Sequence, residues 1–76
     1  MNTLNEHQIQ LIHKMTSWLH STKVTIYYDE VTYENEQILH KFKYALTRGE
    51  YNNKEQDLLN IARHNYIQFC KSNGFL

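Results

Sequence analysis

Residues 29 to 49 read DEVTYENEQILHKFKYALTRG and follow the spacing of an amphipathic α-helix. At 100° per residue, the apolar side chains of this stretch fall within one arc. They are Val31, Ile38, Leu39, Phe42, Ala45 and Leu46. Acidic residues come early and basic residues late, which is the order that the helix dipole favours. Gly49 follows as a typical left-handed stop, so the pattern predicts a helix over 30–48.

Two further stretches have the same periodicity. Thr3 and Glu6 have the spacing of a capping box, which predicts a helix over 4–19. Asn52 and Asn53 are both favourable N-caps and Gly74 is a favourable stop, which predicts a helix over 53–72. The predicted core residues of these two helices are Leu4, Leu11, Ile12, Met15, Trp18 and Leu19, then Leu58, Leu59, Ala62, Tyr66, Phe69 and Cys70. We expect Trp18 to be buried beside Phe42 and Phe69.

The stretch between the first two helices is ambiguous. Residues 23–28 are rich in β-branched and aromatic side chains, which favours an extended linker or a short strand. Heptad spacing traced back to Val24 instead allows a longer helix, and a β-hairpin over residues 23–33 is a further alternative. We expect an all-α fold, a small three-helix bundle or orthogonal helical domain, in which residues 1–76 form a single domain and 23–28 are extended.

Length and charge exclude several classes of protein. The 76 residues carry eight basic and eight acidic side chains, so bulk charge does not favour nucleic acid or a membrane surface as partner. The single Cys70 allows neither an internal disulfide nor a thiolate zinc site within one chain. Without a signal-peptide pattern or a long apolar run, the expected location is the cytoplasm. The many Asn, Tyr and Ile residues fit an AT-rich genome, such as that of a low-GC bacterium or its phage.

The residues that most often do chemistry are not arranged for it here. The five histidines (His7, His13, His20, His40 and His64) never recur at the spacing of three or four that suits a metal on one helix face. Cys70 falls on the edge of an apolar arc, where cysteine behaves as a small hydrophobe. We therefore expect no enzyme activity, no metal and no cofactor.

One set of side chains indicates a protein partner. Tyr33, Gln37, His40 and Tyr44 recur at i, i+4, i+7 and i+11, opposite the apolar arc of their helix. Aromatic side chains are enriched in protein interfaces, although scattered surface tyrosines are also common. We expect these four residues to bind a protein partner, which makes the chain a small regulatory protein, an inhibitor or adaptor. Because so small a core is marginal, we also expect a homodimer.

The alternative function is a DNA-binding transcriptional regulator that uses the third predicted helix. That helix carries side chains suited to reading base edges, namely Asn53, Gln56, Asn60, Arg63 and His64. Against this, Glu50, Glu55 and Asp57 would face phosphates. The sequence therefore favours a protein partner over DNA.

Asn35 is a polar residue in the middle of the second helix's apolar arc. A lone buried asparagine among hydrophobic residues can set register or oligomeric state. Near a helix start it can instead reach solvent, and the sequence leaves both alternatives open.

Overall fold

A computed structural model describes residues 2–73, which form an all-α domain with one very short sheet. The helices are α1 (Glu6–Leu19), α2 (Thr22–Ile26), α3 (Glu30–Arg48) and α4 (Asn53–Ser72), and the strands are β1 (Asn2–Thr3) and β2 (Glu50–Tyr51). The all-α fold class is confirmed, and the predicted bounds of α3 and α4 match the structure. The predicted stop at Gly74 lies outside the described residues.

Each helix begins at a side-chain cap. Asn5, Ser21, Asp29 and Asn52 each accept a hydrogen bond from the backbone amide three residues ahead. Such caps satisfy amides that have no partner inside the helix. Gly49 ends α3 in the left-handed conformation, with φ of 74°, as predicted.

The start of α1 differs from the prediction because of a long-range strand contact. Thr3 lies opposite Glu50 in an antiparallel pair, and the Leu4 amide donates to the Gly49 carbonyl at 3.0 Å. These bonds hold residues 2–4 extended, so the capping box expected at Thr3 and Glu6 is wrong. Asn5 and Gln8 form the capping box instead, and the helix begins at Glu6.

Residues 23–28 are not the extended segment that their composition predicts. Ser21 caps a short helix, Thr22–Ile26, and the β-hairpin alternative is wrong as well. The reason is burial, because Val24 packs with Trp18 and Phe69 in a small apolar cluster. A helical turn directs Val24 inward, and this packing overrides the β-propensity of its neighbours.

The α3–α4 pair is an antiparallel hairpin and α1 packs across it. Arg48 and Glu55 form an ion pair at 2.9 Å beside the connecting turn, while Asn35 and Asn65 meet toward the other end. The main core lies between these three helices. Its buried residues are Leu4, Ile12, Met15, Ile38, Leu39, Phe42, Ala45, Tyr51, Leu59 and Ala62.

Trp18 belongs to the second, smaller cluster. It is 9% exposed, and its ring makes edge contacts with Phe69 and Tyr66 at centroid distances of 5.1 and 5.0 Å. The predicted burial beside Phe69 is confirmed. Phe42 lies in the main core, so its expected place beside Trp18 is wrong.

The extent of burial of two residues in the predicted arc of α3, Val31 and Asn35, has a specific cause in each case. Val31 is 38% exposed rather than buried, because it lies in the first turn of α3, beyond the main core. Asn35 is fully buried, so the alternative in which it reaches solvent is wrong. Its Nδ2 donates to the Ala62 carbonyl at 2.9 Å and its Oδ1 accepts from Asn65 Nδ2 at 3.0 Å. These bonds compensate for its desolvation.

Candidate protein-docking surface

The four predicted partner-binding residues lie together along the solvent side of α3. We call Tyr33, Gln37, His40 and Tyr44 the tyrosine stripe. All four are exposed, Tyr33 by 57% and Tyr44 by 66%. At 1.5 Å per residue, the stripe is about 16 Å long. Within residues 2–73, none of the four side chains makes a hydrogen bond or an ion pair, so their polar groups are open to a partner.

The stripe is held on a rigid support. Helices α4 and α1 both pack against α3, and the stripe lies on the part of α3 that stays exposed to solvent among residues 2–73. Asn65 of α4 donates to Glu34 Oε1 at 2.7 Å and to Asn35 Oδ1 at 3.0 Å, which ties the two helices together. A surface on a well-packed helix loses little conformational entropy when a partner binds.

More apolar surface lies where α2 meets α3. Ile26, Tyr27, Tyr28 and Val31 are all exposed there, close in sequence to Tyr33. The Tyr28 hydroxyl donates to Glu36 Oε2 at 2.9 Å, which fixes one ring over α3. The aromatic pair was visible in the sequence, but the exposure of Ile26 and Val31 was not. The exposure of Ile26 follows from its place at the end of the short helix α2, which periodicity does not identify, and that of Val31 from its place in the first turn of α3.

A groove of about 790 Å³ runs between α1 and α3 beside the stripe. Three of the five histidines line it, His13 and His20 from α1 and His40 from α3. Glu36 and Lys43 lie at its α3 wall. In the part of the chain that the structure describes, no three His, Cys, Asp or Glu side chains are close enough to hold a metal ion. The groove is also lined by Ile12, Leu19, Leu39 and Leu46, and the stripe residue Gln37 joins His40 in its α3 wall. The groove therefore borders the stripe directly, a relation that spacing within one helix does not predict.

The alternative surface on α4 is largely exposed, and two of its side chains bond each other. Gln56 is half-buried and its amide donates to Asn60 Oδ1 at 3.1 Å. Arg63 and His64 are exposed. Glu55 is ion-paired with Arg48, so it does not project toward a ligand. Two of the five side chains proposed to read bases therefore bond each other.

Cys70 is buried in α4, where we expected a core residue. Burial raises the pKa of its thiol, and a hydrogen bond to Tyr66 and the charges of Lys14 and Lys23 offset this only in part. Burial likewise raises the pKa of the Tyr66 hydroxyl. Because the thiolate is the reactive form of cysteine, these surroundings disfavour nucleophilic chemistry at Cys70.

Comparison of this chain with protein families, with characterised proteins and with solved structures gives no significant match. None of the helices within residues 2–73 is long and apolar enough to cross a membrane.

Proposed function

We propose that this chain is a non-enzymatic interaction module, an inhibitor or adaptor that acts by docking the tyrosine stripe on a protein partner. The observation that supports this is the exposure of Tyr33 and Tyr44 on a helix whose core side is already complete. Tyrosine offers a large, rigid contact area with few torsions to immobilise, and it is enriched in protein interfaces.

The chemistry of the surface favours protein over nucleic acid. The stripe carries two phenol rings, an amide and an imidazole, but no fixed positive charge. Duplex DNA binding relies on several Lys or Arg contacts to phosphates, and the chain has equal numbers of basic and acidic residues. The proposed setting is the cytoplasm of a low-GC bacterium, with a phage or mobile-element gene as origin, because residue usage and small size fit both.

The test is partner capture from a low-GC bacterial lysate, with wild type and the Tyr33→Ala/Tyr44→Ala double variant as baits. We expect wild type to retain a protein that the double variant loses, and the purified protein to reproduce this difference. Tyrosines that act as interface hot spots cost about 2 kcal/mol or more when truncated, so losing two of them should lower the affinity about a thousandfold.

The matched control is Ile61→Ala, which removes an exposed apolar side chain from α4. It should leave capture unchanged. If the folded double variant captures the same protein as wild type, the proposal is wrong. The alternative on α4 would then be tested by binding to random duplex DNA, where phosphate contacts produce a steep dependence on salt.

A further inference from the structure

We propose that the tyrosine stripe docks on the stripe of a second copy of this chain, with the two α3 helices antiparallel about a two-fold axis between residues 38 and 39. This inference rests on the proposed function, because it takes the stripe as the docking surface and names one partner for it.

The stripe is symmetric about its own centre. Tyr33 and Tyr44 are equally far from the point between residues 38 and 39, about 8 Å along the helix, and Gln37 and His40 are each about 2 Å from it. An antiparallel copy therefore places Tyr33 level with the second copy's Tyr44, and Gln37 level with its His40. The alternating spacing of four and three is that of a coiled-coil seam, which lets two helices pack side by side.

In the antiparallel arrangement, the charged residues beside the stripe lie opposite residues of opposite charge in the second copy. Glu34 and Lys41 lie along one edge of the stripe, and Glu36 and Lys43 lie along the other. A two-fold axis perpendicular to the helices brings each edge against the same edge of the second copy. Glu34 then meets Lys41, and Glu36 meets Lys43, within about 3 Å along the axis. Symmetry doubles each contact, which gives four ion pairs.

Within the described residues of one chain, these lysines have no such partner. Glu34 and Lys41 are seven residues apart, about 10.5 Å along the helix, as are Glu36 and Lys43. Among residues 2–73 the ion pair is Arg48–Glu55, and neither Lys41 nor Lys43 contacts a carboxylate. A parallel copy would instead bring the acidic half of α3 against another acidic half, so charge favours the antiparallel arrangement.

Both carboxylates are already held in place. Asn65 Nδ2 binds Glu34 Oε1 at 2.7 Å and the Tyr28 hydroxyl binds Glu36 Oε2 at 2.9 Å, and within residues 2–73 the second oxygen of each carboxylate makes no hydrogen bond. Prior ordering reduces the entropy cost of forming an intermolecular ion pair. Because the seam is short, the interface belongs to the smaller size class, and we expect micromolar rather than nanomolar dimerisation. The dimer and any other protein partner would compete for the stripe.

The first experiment measures the dimer dissociation constant of the full chain by analytical ultracentrifugation. Lys41→Glu with Lys43→Glu should raise this constant at least about tenfold, because four attractive pairs become repulsive. The control, Lys54→Glu with Lys71→Glu, makes the same charge change at exposed positions of α4 and should leave it unchanged. If the folded Lys41/Lys43 variant dimerises as wild type does, the inference is wrong.

Charge complementation tests the pairing itself. A chain with Glu34→Lys and Glu36→Lys should be monomeric alone and should form a mixed dimer with the Lys41→Glu/Lys43→Glu chain. Melting curves recorded in parallel show whether each variant is folded. If two folded variants fail to combine, the assigned ion pairs are wrong.

Orientation is tested by mixing a Gln37→Cys chain with a His40→Cys chain under mild oxidation. The antiparallel seam predicts that cross-links between positions 37 and 40 exceed those between identical positions. An excess of 37–37 cross-links would indicate parallel helices and overturn the proposal.

The outcomes separate this inference from the proposed function. A wild-type chain that is monomeric up to about 100 μM overturns the second-copy inference only, since binding of about −5.5 kcal/mol should be detected there. A dimer that persists in the Tyr33→Ala/Tyr44→Ala variant also overturns it. A dimer that this variant abolishes, together with unchanged capture of another protein, supports the inference and contradicts docking of that protein through the stripe.

Discussion

Each side of α3 carries two residues that depart from the usual distribution of polar and aromatic side chains. On the core side, Thr32 and Asn35 have no exposed surface, whereas on the opposite side Tyr33 and Tyr44 face solvent. The polar residues on the buried side are tolerated because their side chains are hydrogen-bonded, whereas no other element within residues 2–73 covers Tyr33 and Tyr44 on the exposed side. The difference shows that a polar residue can lie on the core side of a helix when its hydrogen bonds are satisfied, and that helix phase can leave an aromatic residue on the exposed side.

Thr32 illustrates how the buried side is satisfied. Its amide and its hydroxyl both donate to Asp29 Oδ1 at 2.8 Å, so the N-cap of α3 also removes a buried donor from the apolar interior. Together with the bonds of Asn35, this leaves the first half of α3 with a polar but fully bonded inner side. The second half, around Phe42 and Ala45, is apolar.

The largest expected loss of stability comes from truncating a side chain in the apolar half of the core side of α3. Phe42 is fully buried, so Phe42→Ala should lower the free energy of unfolding by about 3–5 kcal/mol through lost burial and a cavity. Urea denaturation followed by circular dichroism measures this. A loss below about 1 kcal/mol would show that this side of α3 is not the core.

A smaller loss of unfolding free energy is expected from a substitution in the polar half of the core side of α3. Asn35→Ala removes two buried hydrogen bonds and should lower the free energy of unfolding by about 2 kcal/mol. A double-mutant cycle with Asn65→Ala should show coupling between the two sites. Independent effects at residues 35 and 65 would contradict the bonded arrangement described here.

Stability at alkaline pH depends on two ionisable groups of α4, Cys70 and Tyr66. Burial raises the pKa values of the Cys70 thiol and the Tyr66 hydroxyl, so the folded state keeps protons that the unfolded chain releases. Below the pKa values that these groups have in the unfolded chain, their contribution to stability is complete. This contribution is lost as the pH rises through the pKa values that they have in the folded state. Unfolding free energies measured from about pH 8 to 10 should therefore decrease, and Cys70→Ala should reduce that decrease. An identical pH profile for this variant would contradict the buried thiol.

The smallest effect on stability is expected from substitutions on the exposed side of α3. Tyr33→Ala with Tyr44→Ala should change the free energy of unfolding by no more than about 0.5 kcal/mol, because neither ring contacts the core. Thermal melting of the double variant beside wild type provides the measurement. A large loss would show that the tyrosines are structural, and the docking proposal would lose its basis.

Local signals explain what the sequence predicts well. Asp29, Asn52 and Gly49 act on their own helix ends, so both ends of α3 and the start of α4 follow from local signals. The phase of the tyrosine stripe follows from periodicity in the same way. The predicted exposure of its four residues agrees with the structure, while their role in binding stays a prediction.

Long-range contacts account for what the sequence did not predict. The late start of α1 depends on strand pairing with residues 50–51, and α2 depends on burial of Val24 against Phe69. The groove beside the stripe exists only because α1 crosses α3 at that point. None of these follows from the spacing of residues within one segment.

The pairing of β1 with β2 also has a consequence for the order in which the chain folds. It joins positions almost fifty residues apart, whereas the α3–α4 hairpin closes over a short turn. Short-range contacts cost less loop entropy and form first, so the strand that is synthesised earliest is secured late. Contacts that form after the folding barrier act mainly on the unfolding rate. We therefore expect this two-residue strand pair to slow the opening of the folded molecule more than it speeds its formation.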